Sequence, residues 1–356
     1  MPTGKAVVVA LLVTGAAGFI GSNLVRHLLQ RWPDQRLVSF DLLTYAGHLA
    51  NLADVIDHPR HRFLQGDIAD REAVAAVFDQ HDIDGVIHLA AESHVDRSIL
   101  DPMAFVRTNV AGTVVLLQEA TRAWGDRQDV RFHHVSTDEV FGALGSEGFF
   151  DEDTRYRPNS PYSASKAASD HFVRAWHETY GLPAVITNCT NNYGPYQFPE
   201  KLIPVVITRA LAGEKIPVYG RGENVRDWLF VEDHCDAIGL VFERGTAGET
   251  YCIGGETEAT NLELVRLLLD LVDAARGADP GTSAELIEFV TDRPGHDFRY
   301  AMDITRMRSE LGWSPSVSLR EGLARTVEWY LDHRDWMADV QGSGHREFTD
   351  TWYEKR

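Results

Sequence analysis

The stretch HHVSTDEVFG sets a hydroxyl and two carboxylates side by side, Thr137, Asp138 and Glu139, just past an apolar run. Further on, YSASK places Tyr162 and Lys166 four residues apart, a spacing that puts both on one face of a helix. A free phenol titrates near ~10, and a nearby ammonium favours the phenolate, so Tyr162 is a candidate base with Lys166 as its helper. Thr137 is placed to steer the same substrate oxygen. The two acids suit an elimination, in which one group removes a proton from carbon and the other protonates a departing hydroxyl. For Asp138 to hold that proton its pKa must rise above ~3.9, through burial or the like charge of Glu139. The plainer alternatives are an acid pair favoured by a helix start and a Tyr and Lys on a solvated helix face.

Side chains that are neighbours in a strand point to opposite faces, so the triplet must lie just past the carboxyl end of one, where an open parallel sheet holds its ligands. The pattern along the first half supplies that sheet. Short apolar runs predict strands near 6–14, 36–40, 62–65, 85–89, 130–136 and 184–189, alternating with helices at 21–31, 71–80, 102–124 and 163–180. Such alternation predicts a Rossmann-type, doubly wound α/β fold. NNYGPYQFPEKLIP then breaks the regularity with loop chemistry. Helices at 202–212, 231–243, 261–275 and 319–333, with short strands near 218–219 and 251–253, predict a smaller carboxyl-terminal α/β portion. The division expected is residues 1–192 for the dinucleotide and 193–356 mainly for the substrate, with some later segments free to return to the first unit.

The cofactor end is read from LLVTGAAGFIGSNLVRHLL, where Gly15, Gly18 and Gly21 stand three apart between a strand-like and a helix-like run. Their separate tasks are a tight turn, close approach of backbone to a pyrophosphate, and close packing of helix on strand. Asp41 follows the next strand, where a carboxylate would accept hydrogen bonds from a ribose. It would repel a 2′-phosphate and DLLTY offers no Arg, so NAD is expected over NADP. Asp67, in GDIAD, is placed to reach the adenine amino group. Simple turn glycines and a helix-capping Asp41 are the structural alternative.

The composition narrows the partners. A formal charge of −19, from 53 acidic and 34 basic residues, argues against nucleic acid or an anionic membrane surface. An anionic substrate would then need a few Lys or Arg grouped locally. Cys189, Cys235 and Cys252 lie far apart with no CxxC pair, so neither a disulfide framework nor a metal cluster is expected, and a reducing cytoplasm fits. No run approaches the ~20 apolar residues of a membrane span. The apolar run at 6–13 invites reading as a signal peptide, but it leads straight into a glycine pattern that requires a strand.

Taken together, TGAAGFIGSNL, HLAAESHVDRSI, VSTDEVFG, PNSPYSASKAASD, NNYGPYQFPEKLIP, RDWLFVEDH and DRPGHDFRYAMD resemble the extended short-chain dehydrogenase/reductases, and within them the dTDP-glucose 4,6-dehydratases. The glycine and YxxxK patterns belong to the broad superfamily, whereas the Thr-Asp-Glu triplet and NNYGPYQFPEKLIP are far more specific. The resemblance implies a sequence of steps on a nucleotide-diphospho-hexose. Tyr162, helped by Thr137 and Lys166, takes the proton of the sugar 4-hydroxyl while hydride passes to NAD+. Glu139 removes the hydrogen on carbon 5, Asp138 protonates the 6-hydroxyl, water leaves, and the hydride returns to carbon 6.

It also implies a cofactor lining of Gly15, Gly18, Phe19, Ile20, Gly21, Asp41, Asp67, Ile68, Leu89, Ala90, Ala91 and Thr108 beside Tyr162 and Lys166. Ser93, Asn192, Lys201, Leu202, Arg226, Asn261, Arg293 and His296 become candidates for the sugar, diphosphate and nucleoside, a role in which Arg forks suit phosphate oxygens. His94 and Arg97 are expected to brace the site rather than react. A homodimer joined through helices such as 102–124 and 163–180 is implied as well. The tail from about 335 matches no part of the pattern. Two other functions remain in view: a nucleotide-sugar 4-epimerase, which needs no acid pair, and a non-catalytic NAD-sensing protein, which would not need Tyr162 and Lys166.

Overall fold

The computed structural model describes residues 9–292 and 296–340. Six parallel strands form the first part of the sheet: β1 (Ala10–Thr14), β2 (Arg36–Asp41), β3 (His61–Gln65), β4 (Ile83–His88), β5 (Arg131–Thr137) and β6 (Ala184–Cys189). The chain continues through β7 (Asn191–Tyr193), β8 (Ile216–Tyr219), β9 (Val225–Phe230), β10 (Thr250–Ile253), β11 (Glu258–Thr260) and β12 (Ile287–Val290). β10 returns to pair in parallel with β6, completing a seven-stranded sheet of order β3-β2-β1-β4-β5-β6-β10. The order reverses between β1 and β4, the crevice where doubly wound sheets bind ligands.

The helices are α1 (Phe19–Arg31), α2 (Arg71–His81), α3 (Val95–Leu100), α4 (Pro102–Phe105), α5 (Thr113–Trp124), α6 (Pro161–Tyr180), α7 (Leu202–Ala212), α8 (Val231–Arg244), α9 (Asn261–Ala275), α10 (Leu319–Asp332) and α11 (Arg334–Val340). Along β1, Leu12 packs with Val74, Leu116 and Val173 of α2, α5 and α6 on one face. Leu11 and Val13 pack with Leu24, Val25, Ile238 and Phe242 of α1 and α8 on the other. Both faces are therefore covered, which is why the run is apolar throughout rather than alternating. A separate core joins α7, α9 and α10 to Tyr193 and Phe230.

Two features near the cleft depart from the pattern read in the sequence. The helix expected at 102–124 is interrupted by a wide π turn, Val106–Gly112. There the buried Asn109 accepts from Glu92 N–H (2.8 Å), and its amide donates to Glu92 O (2.9 Å) and Ser165 Oγ (2.8 Å). A Cβ at Gly112 would stand 2.6 Å from Ile68 Cγ1, so close packing holds the other side of the turn. Thr137 is the last residue of β5, one beyond the expected end, and Asp138–Phe141 form a 3-10 turn after it. α8 and β10 lie past residue 193 and pack on, or pair with, the seven-stranded sheet. Among the described residues no helix is long and apolar enough to cross a membrane.

Candidate active site

One cleft runs along the carboxyl ends of the strands, lined at one end by Gly15, Gly18 and Asp41 and at the other by Thr137, Asp138, Glu139 and Tyr162. Gly15 has φ +68, and a Cβ there would lie 2.7 Å from Ala90 N, so the turn can press against the end of β4 only without a side chain. At Gly21 a Cβ would fall 2.1 Å from Gly15 O, which is the close packing of helix on turn that the third glycine permits. α1 begins at Gly18 with no side-chain cap, leaving its first N–H groups for an anion. Asp41 is buried, accepts from Ala17 N–H (2.9 Å) and Leu43 N–H (2.8 Å), and still lines the cleft. Its remaining lone pairs suit ribose hydroxyls, and among the described residues no Arg lines the cleft beside it. Burial pushes its carboxyl up while those two N–H groups oppose the rise. Asp67 also lines the cleft, bonded to Arg107 (2.8 Å) and to Ala69 N–H (2.8 Å).

At the other end α6 starts where Ser160 and Ser163 form a capping box with Pro161 in the first turn, and it stops at Gly181 with φ +69. That start places Tyr162 and Lys166 on the buried face of the helix. The Thr137 hydroxyl donates to Asp138 Oδ1 (3.2 Å) and accepts from Glu139 N–H (3.3 Å). Asp138 is buried, and its Oδ2 has no hydrogen-bond partner. Burial, reinforced by the Glu139 charge, pushes the Asp138 carboxyl well above the usual carboxylate range, against the pull of Arg226 and the Thr137 hydroxyl. Such a group is a proton donor at neutral pH. Tyr162 behaves otherwise than its spacing from Lys166 suggests. Burial and then Glu139 push the phenol well up, with the Thr137 hydroxyl opposing, and Lys166 Nζ donates to Val135 O (2.9 Å) in the interior of the fold.

The expected cofactor residues Phe19, Ile20, Ile68, Leu89, Ala90, Ala91 and Thr108 line the same cleft, as do Ser93, Asn192 and Lys201. Lys201 Nζ donates to Ser93 O (3.1 Å). Leu202, Arg226, Asn261 and His296 stand outside that lining. Arg226 on β9 pairs in register with Ala259 on β11, and Asn261 opens α9 immediately after that strand. Arg226 donates to Asp297 O (2.9 Å) and Phe298 O (3.3 Å) and lies 4.4 Å from the Tyr300 ring centre. His296 contacts Asp292 at 2.7 Å. Arg226 and Asn261 thus stand on and beside the three-stranded sheet, whereas Leu202 opens α7 and His296 faces the Tyr219 ring of β8; Arg293 lies outside the described residues. His94 and Arg97 approach Glu200 at 3.9 and 3.3 Å and so brace the wall it forms.

Several lining residues went unnoticed in the sequence: Thr190, Asn191, Gln197, Cys189, Glu92 and Glu200. Buried Thr190 Oγ1, Asn191 Oδ1, Asn192 Oδ1 and Gln197 Oε1 have no hydrogen-bond partner, a lining that suits a ligand rich in hydroxyl groups. The signal was available in the polar density of CTNNYGPYQFPEK, but periodicity cannot show which of its side chains turn inward.

Fold and cleft define a dinucleotide-binding Rossmann protein with a Tyr-Lys helix and an acid pair at the sheet rim. A family profile described as GDP-mannose 4,6 dehydratase matches residues 12–326. The chain belongs to that family, within the extended short-chain dehydrogenase/reductases. It is 53% identical over 341 residues to the dTDP-glucose 4,6-dehydratase of Xanthomonas campestris pv. campestris, covering 94% of this chain and 97% of that one. The crystal structure of DesIV, a dTDP-glucose 4,6-dehydratase from Streptomyces venezuelae solved with NAD bound, superposes with a TM-score of 0.85 at 49% identity, covering 93% of this chain and 99% of that one. The UDP-glucose 4-epimerase of Thermotoga maritima is more distant, with a TM-score of 0.80 at 30% identity over 91% of this chain and 99% of that one.

Proposed function

We propose that the protein is an NAD-dependent hydro-lyase that converts dTDP-glucose to its 4-keto-6-deoxy product. The observation that carries this reading is the buried Asp138, its Oδ2 unpartnered and its carboxyl pushed up beside Glu139, on the same cleft as Tyr162 and the Gly15 turn. NAD would supply the hydride acceptor for carbon 4 when oxidised and, once reduced, the hydride donor for carbon 6. Gly15, the start of α1 and Asp41 hold the dinucleotide. Tyr162 takes the proton of the 4-hydroxyl, and Thr137 orients that oxygen. Oxidation at carbon 4 acidifies the hydrogen on carbon 5, which Glu139 removes. Asp138 delivers its proton to the 6-hydroxyl, and water departs. Glu139 returns a proton to carbon 5 as the double bond is reduced. The two hydride transfers cancel, so the sequence as a whole leaves no net redox change.

The phosphate and nucleoside end is assigned to Lys201, Arg226, Asn261 and His296. The test is a panel of sugar nucleotides: dTDP-glucose yields a product lighter by one water that absorbs strongly in alkali, whereas an epimerase yields neither change. Turnover of UDP-glucose to UDP-galactose without loss of water would overturn the reading.

The working unit we propose is a homodimer. Leu100, Met103, Val106, Phe172 and Tyr180 are exposed apolar side chains on α3, α4, the π turn and α6, a concentration that a second copy would cover. Light scattering at the mass of one chain would refute it. A reducing cytoplasm fits Cys189, Cys235 and Cys252, all free and buried.

A further inference from the structure

Tyr162 and Lys166 belong to a longer stripe, because Asp170 follows at the next interval of four and is buried on the same face of α6. Asp170 does not line the cleft and cannot touch a substrate there. Its Oδ2 accepts from Ser136 Oγ (2.8 Å), Tyr156 OH (2.9 Å) and Asn188 Nδ2 (3.3 Å). Its Oδ1 lies 3.1 Å from His134 Nε2, and that same nitrogen lies 3.4 Å from Lys166 Nζ. Ammonium, imidazole and carboxylate thus form a continuous buried row. We propose that Asp170 is a positioning residue that keeps Lys166 charged, with uncharged His134 as the spacer between ammonium and carboxylate.

The charges around Lys166 support this assignment. The titratable groups coupled to it are Asp170 on α6, His134 on β5, His88 on β4 and Cys189 at the end of β6, with Tyr162 one turn earlier on the buried face of α6. Asp170 is the carboxylate among them. Burial drives Lys166 down from the ordinary lysine range, and the Asp170 charge is the foremost influence opposing it. Burial would by itself raise Asp170, but the His134 hydrogen bond, the Lys166 charge and Ser136 carry its carboxyl below the usual range. His134 is pushed down to about 4 by burial and by Lys166, so it is neutral at working pH. An ammonium sealed from water without a counter-charge sheds its proton instead. A neutral Lys166 would give no electrostatic support to the Tyr162 phenolate.

This inference rests on the reading of Tyr162 and Lys166 given above, and its test separates the two. The pH profile of kcat on dTDP-glucose is compared for wild type, Asp170→Asn and Asp170→Glu. Removing the carboxylate lets Lys166 lose its proton at lower pH, so the alkaline limb of Asp170→Asn moves toward neutrality by about one unit or more. Asp170→Glu restores the limb. An Asp170→Asn profile superimposable on wild type overturns the proposal. Should Asp170→Asn fail to fold, the double variant Lys166→Met/Asp170→Asn decides. Recovery of a cooperative melt shows that the lost charge balance was the fault, and continued failure overturns the proposal. A wild type inert on every sugar nucleotide would sink the earlier reading, while the melting comparison would still decide this one.

Discussion

At the Gly15 turn the cleft wall is backbone: a positive φ, the uncapped start of α1 and a glycine pressed within a Cβ's reach of Gly15 O. At the Thr137 end the wall is side chains, with Asp138 and Tyr162 both buried and both carried far from their ordinary proton affinities. The first end recognises its ligand by shape, by N–H groups that do not titrate and by the Asp41 carboxylate, which accepts hydrogen bonds but moves no proton in the reaction. The second works by placing ionisable groups where water cannot set their charge. Mutations at the first should therefore change affinity, and mutations at the second should change rate.

The strongest way to break this contrast is at the reacting end. Tyr162→Phe is expected to lower kcat by about 10²–10⁴-fold and to abolish transient NADH absorbance during turnover. An undiminished transient removes Tyr162 as the base. Asp138→Asn and Glu139→Gln should also lower turnover by about 10²–10⁴-fold while titration with NAD stays near wild type. These two variants should still show the transient, because they follow the first oxidation. Near wild-type rates in both would make the acids structural.

Gly21→Ala probes the opposite end. A methyl there meets Gly15 O at 2.1 Å, so a loss of about 1–3 kcal/mol of stability is expected, together with weaker NAD binding. Calorimetric melting and NAD titration check it, and an unaltered Kd would show that the turn is less tightly packed than it stands here.

A smaller effect concerns pH. Burial pushes His134 down to about 4 and His234 down to about 3 in the folded chain, against ~6.5 when unfolded. The unfolded chain therefore binds more protons, and stability falls as pH drops below about 6.5, down to those folded values. Asp227, raised to about 6 mainly by burial, works in the opposite direction between about 6 and ~3.8. With the histidines dominant, the melting temperature should fall on the order of 5 °C between pH 7 and 4.5. His234→Leu should flatten that slope, since neither ring nitrogen of His234 has a partner to lose. A steeper slope in the variant would contradict the assignment.

Much of this was legible before any coordinates. β1, the glycine turn, Asp41 and α6 announce themselves through local chemistry: an apolar run, glycines at fixed offsets, and a Ser-Pro start with a Gly stop. The π turn at Val106–Gly112 was not legible, because it depends on Asn109 bonding Glu92 and Ser165 from distant segments. The return of β10 to β6 was equally hidden, since a four-residue apolar run is the same whichever sheet it joins. Lys166 is the instructive site residue. Its spacing from Tyr162 is a sequence fact, yet its nearest acceptor is Val135 O, set by how α6 lies on β5.

By itself the sequence determined which groups are available and in what local frame: the Thr-Asp-Glu triplet at a strand end, the phenol and ammonium one helical turn apart, and the glycines that admit a close ligand. These follow from bonds and spacings within a few residues. Only the tertiary structure decided the charge each group carries and which of them share one cleft. Proton affinity depends on exclusion of water and on neighbours such as Asp170, Glu139 and Arg226, and those are assembled by packing between segments far apart in the chain.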